Sequence, residues 1–195
     1  MIKVLHRINQ LAQISTIDPL LGVEVDVHAL GDRLVVHHDA FQDGPDLIDW
    51  LALCGDRFVI FNIKEEGIES RVRDLAESAG LTNFFMLDLS FPALVRMARE
   101  GETRTAIRVS EYESVNSAII NPFNINWIWL DCFEGFPISK SDFAQLKARG
   151  FKICLVSPEL HGETRSLNDI IEMQKIMSSK KLLVDAVCTK FPELW

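Results

Sequence analysis

No stretch of this 195-residue sequence reaches the roughly 18 apolar residues of a membrane-spanning helix, so no membrane insertion is expected. A basic excess is missing too. The formal charge is −8, whereas a general affinity for nucleic acid needs clustered Lys and Arg. The four cysteines, Cys54, Cys132, Cys154 and Cys188, include no Cys-x-x-Cys pair, so neither a structural zinc site nor a redox motif is indicated. Each sits in an apolar run and reads as a small core residue. The opening Met1-Ile2-Lys3-Val4-Leu5 is no secretory signal, because His6 and Arg7 interrupt it too soon. A reducing cytoplasm fits these absences.

What the chain has is regular alternation. Nearly half of its residues are hydrophobic and a quarter are charged, the balance of a globular protein. One domain over residues 1–195 is expected from the length. Short apolar runs, at Ile2–Leu5, Gly22–Val27 with Leu34–His38, Phe58–Ile63, Phe84–Leu89, Thr105–Val109, Trp127–Asp131, Lys152–Val156 and Val184–Thr189, read as strands. Counting Gly22–His38 as one unit gives eight. Amphipathic segments separate them: Pro45–Leu53, Ile68–Ala79, Phe91–Glu100, Tyr112–Ile120, Ser141–Arg149 and Leu167–Ser178. Ser166, with Asp169 three residues on, makes a capping box for the last. Ile8–Leu21 is the weakest helix, because Ser15–Pro19 breaks its pattern.

Strands alternating with helices mean parallel pairing, and near-continuous apolar strands mean a sheet covered on both faces. Eight such units predict an α/β fold, a compact (β/α)8 TIM barrel. An open doubly wound sheet is the alternative. In a barrel, the polar residues that follow the strands gather at the C-terminal mouth, where active sites of this fold sit.

The densest chemistry lies between Gly22 and Asp39. Glu24 and Asp26 are two apart on a strand and therefore share a face. Two carboxylates facing the same way repel, and need a cation or a shared proton. His6 closes the first strand and His38 the next extended run, so imidazoles able to move protons lie nearby. The grouping points to metal-assisted acid–base chemistry on a phosphate ester.

In order and spacing, these residues resemble the glycerophosphodiester phosphodiesterases. That family carries His-Arg-Gly, Glu-x-Asp, Asp-Gly with His-Asp, and Glu-x-Lys, and closes on Asp-Gly-x-x-Thr-Asp-x-Pro. This chain has His6-Arg7, Glu24-Val25-Asp26, Gly31-Asp32 with His38-Asp39, Asn62-Ile63-Lys64, and Asp185 to Pro192. The resemblance implies a (β/α)8 barrel that cleaves a small phosphodiester. It implies His6 and His38 as the acid–base pair, and Arg7 and Lys64 as phosphate ligands. Glu24, Asp26 and Asn62 would then hold Mg²⁺ or Ca²⁺. Three departures stand out: Ile8 replaces the glycine after His-Arg, the family's Glu-Asn-Thr has no counterpart in Asn9–Leu21, and Asn62 replaces a carboxylate. An Asn oxygen can ligate either ion, but with one charge fewer.

Other residues stay open at this level. His28 shares the face of Asp26 but could belong to the turn, and His37 should point away from His38. Lys64, followed by Glu65 and Glu66, could be a surface lysine. Trp127 and Trp129 could wall a pocket or pack inside the barrel. Asp88, Glu111, Asp131 and Glu159 follow later strands and read as site residues or helix caps. Two rivals remain. One is a non-catalytic barrel that binds a phosphorylated sugar or polyol, motivated by Ile8 and Asn62. The other is a sugar-phosphate isomerase or aldolase barrel, which would want glycine-rich loops where Pro158-Glu159 and Lys190-Phe191-Pro192 stand.

Overall fold

The computed structural model describes residues 1–162 and 165–195. Its strands are β1 (Ile2–Leu5), β2 (Gly22–Leu30), β3 (Arg33–Val36), β4 (Val59–Ile63), β5 (Phe84–Leu87), β6 (Ala106–Val109), β7 (Trp127–Leu130), β8 (Lys152–Val156) and β9 (Ala186–Thr189). All except β3 run parallel, in the order β5-β4-β2-β1-β9-β8-β7-β6, so β1 and β9 lie side by side. A bridge between Met86 and Thr105 brings the two outer strands together. The result is a nearly closed eight-stranded parallel barrel, the predicted TIM architecture rather than an open sheet.

One strand unit is corrected. Gly22–His38 is a hairpin in which β3 runs antiparallel to β2 and pairs with it alone. The turn is the two-residue Gly31-Asp32, and Gly31 takes φ +61°, a conformation glycine adopts freely. The fold-back pairs Val36 with Val27, and Val27 in turn pairs with Ile63 of β4. His37 and His38 therefore return to the level of the barrel mouth.

The helices are α1 (Leu11–Ile14), α2 (Leu47–Cys54), α3 (Glu69–Ser78), α4 (Phe91–Arg99), α5 (Asn116–Ile119), α6 (Lys140–Ala148) and α7 (Leu167–Lys180). Ser166 does cap α7 in a capping box with Asp169. The expected Tyr112–Ile120 helix shrinks to α5, because Ser110 Oγ takes the backbone N–H groups of Tyr112 and Glu113 and holds a turn there. None of the helices is long and apolar enough to cross a membrane among the described residues.

Strand alternation divides the core. Val4, Ile60, Phe85, Leu87, Ala106, Trp127, Trp129, Cys154, Val156, Ala186 and Cys188 fill the barrel interior. Both tryptophans are thus interior packing; Trp127 stacks on Phe85 with ring centroids 4.8 Å apart. The other strand face packs on the helices, with Val23, Val25, Val27, Phe61 and Trp50 in one half and Val109, Ile128, Leu130, Ile153 and Val187 in the other. All four cysteines are buried and unpaired.

Candidate active site

The same alternation builds the site. Since Val4, Ile60 and Cys188 point into the barrel, so do the residues two further along each strand: His6, Asn62 and Lys190. On β2, Val23, Val25 and Val27 face the helices, which turns Glu24 and Asp26 inward. Asp26 pairs with Asn62 in the ladder, and Leu5 with Thr189. Leu5, the last residue of β1, pairs with Val23, so Glu24 stands level with His6 where β1 ends.

Both carboxylates are 1 % exposed and occupied by protein donors. Glu24 Oε2 accepts the Arg7 backbone N–H at 2.7 Å, and Oε1 accepts Asn62 Nδ2 at 2.9 Å. The first bond exists because Arg7 takes φ +57°, a left-handed conformation unusual for a side chain of its size. Asp26 Oδ2 accepts Asn9 Nδ2 at 2.7 Å, and Asn9 Oδ1 accepts the Asp26 N–H at 3.0 Å. Lys64 Nζ lies 3.0 Å from Asp26 Oδ1, an ionic contact off the hydrogen-bonding direction. The Arg7 Nε is 3.6 Å from Asp26 Oδ2, and His6 Nε2 is 3.9 Å from Glu24 Oε2.

The structure therefore gathers His6, Arg7, Glu24, Asp26, Asn62 and Lys64 into one cluster, and adds Asn9, which sequence reasoning passed over. His38 stands outside that cluster. It lies on the rim with 41 % of its side chain exposed, and its Nδ1 is 2.7 Å from Asp39 Oδ1. His28 is buried on β2 with Nδ1 against the Ala29 carbonyl. His37 sits edge-on to it, with centroids 6.4 Å apart.

Burial sets the electrostatics. Desolvation, helped by the Arg7, Lys190 and Lys64 charges, holds the His6 imidazole down to a pKa of about 4 against the opposing pull of Asp26. His6 is therefore neutral at neutral pH. Desolvation, then the Asp26 charge, pushes Glu24 up to about 7, although the bonds from Asn62 and Arg7 oppose it. Three buried polar atoms of the cluster lack a hydrogen-bond partner: His6 Nδ1, Asn62 Oδ1 and Asp26 Oδ1, the last of which has only the Lys64 ammonium beside it.

These donors bear on the expected divalent ion. A Mg²⁺ or Ca²⁺ site offers unprotonated oxygens to the metal. Here the oxygens of Glu24 and Asp26 already face N–H donors or an ammonium, and Asn62 turns its amide NH₂ toward Glu24. No group of three or more His, Cys, Asp or Glu is placed to hold a metal among the described residues. As arranged, Glu24, Asp26 and Asn62 do not fit the ion.

Across the mouth, Arg108 of β6 pairs with Asp88, Asp131 and, at 3.8 Å, Glu113. His161 Nε2 lies 2.7 Å from Asp131 Oδ1, with its ring centroid 4.5 Å from that of Phe133. Beside Arg108 a cavity of about 570 Å³ opens between β5 and β6, lined by Asp88, Phe91, Tyr112 and Ser117. Glu111 is a loop anchor, accepting the N–H groups of Phe133, Glu134 and Gly135.

Solved structures share this arrangement of strands. Two from Agrobacterium tumefaciens str. C58 carry glycerophosphoryl or glycerophosphodiester phosphodiesterase names. One superposes with a TM-score of 0.68 at 16 % identity, covering all of this chain and 95 % of its own. The other gives 0.64 at 14 % identity, covering all of this chain and 99 % of its own. The fold is glycerophosphodiester phosphodiesterase-like. No family model matches the sequence, and no curated protein does either.

Proposed function

We propose that this glycerophosphodiesterase-like barrel hydrolyses a small soluble phosphodiester, polyol- or sugar-linked, by histidine acid–base catalysis. The observation that carries the reading is the cluster at the mouth, where His6 lies 3.9 Å from Glu24 while Arg7 and Lys64 bring two cations to Asp26. A base must be unprotonated to act, and an anionic ester needs positive charge around it. Arg7, whose guanidinium is half exposed, and Lys64 take the phosphoryl oxygens; Arg can do so with two parallel hydrogen bonds.

In hydrolysis, His6 takes the proton of the attacking water as its oxygen bonds to phosphorus. The ester P–O bond breaks, and the leaving alcohol oxygen takes a proton from His38. His38 then regains its proton from solvent, to which the hairpin exposes it, and His6 gives its proton up to solvent as the product leaves. An attacking hydroxyl of the substrate would use the same groups and give a cyclic phosphate first. The orphaned Asn62 Oδ1 is an acceptor for a substrate hydroxyl.

The second reading, a barrel that binds a phosphorylated ligand without cleaving it, is favoured by the pairing of the His38 imidazole with Asp39 rather than with a group of the cluster. Turnover of bis(p-nitrophenyl) phosphate and of alkyl glycerophosphodiesters decides. Phosphomonoester product from the wild type, lost in His6→Gln, supports hydrolysis. Ligand protection against heat without any product supports the binding protein.

A further inference from the structure

We propose that this site holds its phosphate with protein cations alone, and that Lys190 is the third of them, aimed by the buried carboxylate of Glu159. The inference takes its ligand class from the phosphodiester reading and names what recognises that ligand.

Lys190 follows β9, the strand beside β1. The His6 N–H donates to the Thr189 carbonyl at 3.0 Å, so Lys190 stands next to His6 at the mouth. Ala186 and Cys188 point into the barrel, and alternation sends the Lys190 side chain the same way. Its charge is among those that keep His6 unprotonated. In the resemblance drawn from the sequence, this position holds an Asp. The change adds positive charge where Asn62 removes negative charge, so both substitutions shift the site toward anion binding.

Glu159 fixes the segment. It is 7 % exposed. Its Oε1 accepts Thr189 Oγ1 at 2.5 Å and the Lys190 N–H at 3.0 Å, and its Oε2 accepts Ser157 Oγ. Ser157 Oγ in turn accepts Trp195 Nε1 at 3.0 Å. These bonds join the ends of β8 and β9 and set where Lys190 starts.

Charge decides between the two modes. Among the side chains that face the mouth, Arg7, Lys64 and Lys190 oppose Glu24 and Asp26, which leaves one positive charge when both carboxyls are ionised; Glu159 lies behind them, its oxygens held by Thr189, Ser157 and the Lys190 N–H. One phosphodiester monoanion cancels it. A bound divalent cation would leave the filled site two charges positive, in a pocket where unbalanced charge is costly. Asn62 Oδ1 and His6 Nδ1, buried without partners, can accept hydrogen bonds from ligand hydroxyls, while the Lys64 ammonium already sits on Asp26 Oδ1.

The test is calorimetric titration of the full chain with inorganic phosphate, in EDTA and then in excess Mg²⁺ or Ca²⁺. Binding in EDTA that neither ion tightens is expected. Lys190→Gln should weaken it about tenfold, the loss of one charge-assisted contact, and Lys190→Arg should restore it. Glu159→Gln should weaken it less, and the Lys190→Gln/Glu159→Gln double variant should lose no more than Lys190→Gln alone, which a merely structural Glu159 would not produce. Thermal unfolding of Lys190→Gln should match wild type, because that side chain is exposed. Phosphate binding that requires a divalent cation, wild-type affinity in Lys190→Gln, or no binding in either buffer each overturns the proposal. The readout is binding, so a failure of the hydrolytic reading shows separately, as absent turnover in a protein that still holds phosphate.

Discussion

Replacing His6 or Glu24 should expose two opposite pH dependences of stability that cancel in the wild type. His6 has a folded pKa of about 4 against an ordinary 6.5. Between those values the unfolded chain binds the proton and the folded chain does not, so this group makes the protein less stable as pH falls. Glu24 has a folded pKa of about 7 against an ordinary 4.5. In that window the folded chain holds the proton, so this group makes the protein more stable as pH falls. From pH 7.5 to 4.5, linkage gives roughly 2–3 kcal/mol for each group, with opposite signs. His6 is 18 % exposed and Glu24 1 %, so little solvent screening reduces either figure. His6→Gln should therefore gain about 2–3 kcal/mol relative to wild type on acidification, and Glu24→Gln should lose about as much. Urea unfolding of the three metal-free proteins at both pH values measures this, and the differences from wild type cancel the titration of other carboxylates. Parallel curves for all three would refute the burial argument for both groups.

Other outcomes follow from named contacts. His6→Gln should lower turnover by about 10²–10⁴-fold with the fold intact by circular dichroism, whereas activity near wild type would remove His6 from catalysis. Asn62→Glu restores a carboxylate beside Asp26, so calorimetry should detect Mg²⁺ or Ca²⁺ binding that exceeds any in the wild type; equal or weaker binding would show that position 62 does not govern the ion. Trp127→Ala empties the space against Phe85 and Phe58, and should cost about 3–5 kcal/mol in denaturant unfolding. Gly44→Ala places a Cβ 2.4 Å from the Val36 carbonyl oxygen, so backbone must move and melting temperature should drop; an unchanged value would mean the loop yields freely.

The barrel was readable because its strands are apolar on both faces, and that demands a covered parallel sheet. The hairpin was not. Leu34–His38 reads as a continuation of Gly22–Val27, and only the Gly31-Asp32 turn marks the reversal. Strand period alone places Glu24, Asp26, Asn62 and Lys64 on the inward face. Asn9 escaped because no periodicity governs the segment after β1; its bond to Asp26 depends on how the chain turns at Arg7. Lys190 carried a signal, a lysine where the resemblance has an aspartate, but its neighbour His6 is remote in sequence and adjacent only across the β1–β9 pair. Donor occupancy of the carboxylates is tertiary and has no sequence signature.

The last join in the barrel is made differently from the others. Neighbouring strands elsewhere share ladders, while β5 and β6 meet at the single Met86–Thr105 bridge. At the mouth end of that seam, Arg108 reaches back to Asp88 beyond β5 and forward to Asp131 beyond β7. The seam is held by one backbone bridge, with the Met86 N–H on the Arg104 carbonyl, and at the mouth by these side-chain pairs. A single substitution at Arg108 can thus loosen the wall beside the adjoining cavity without disturbing any strand ladder. The wall of the mouth beside that cavity depends on the pairing of one arginine.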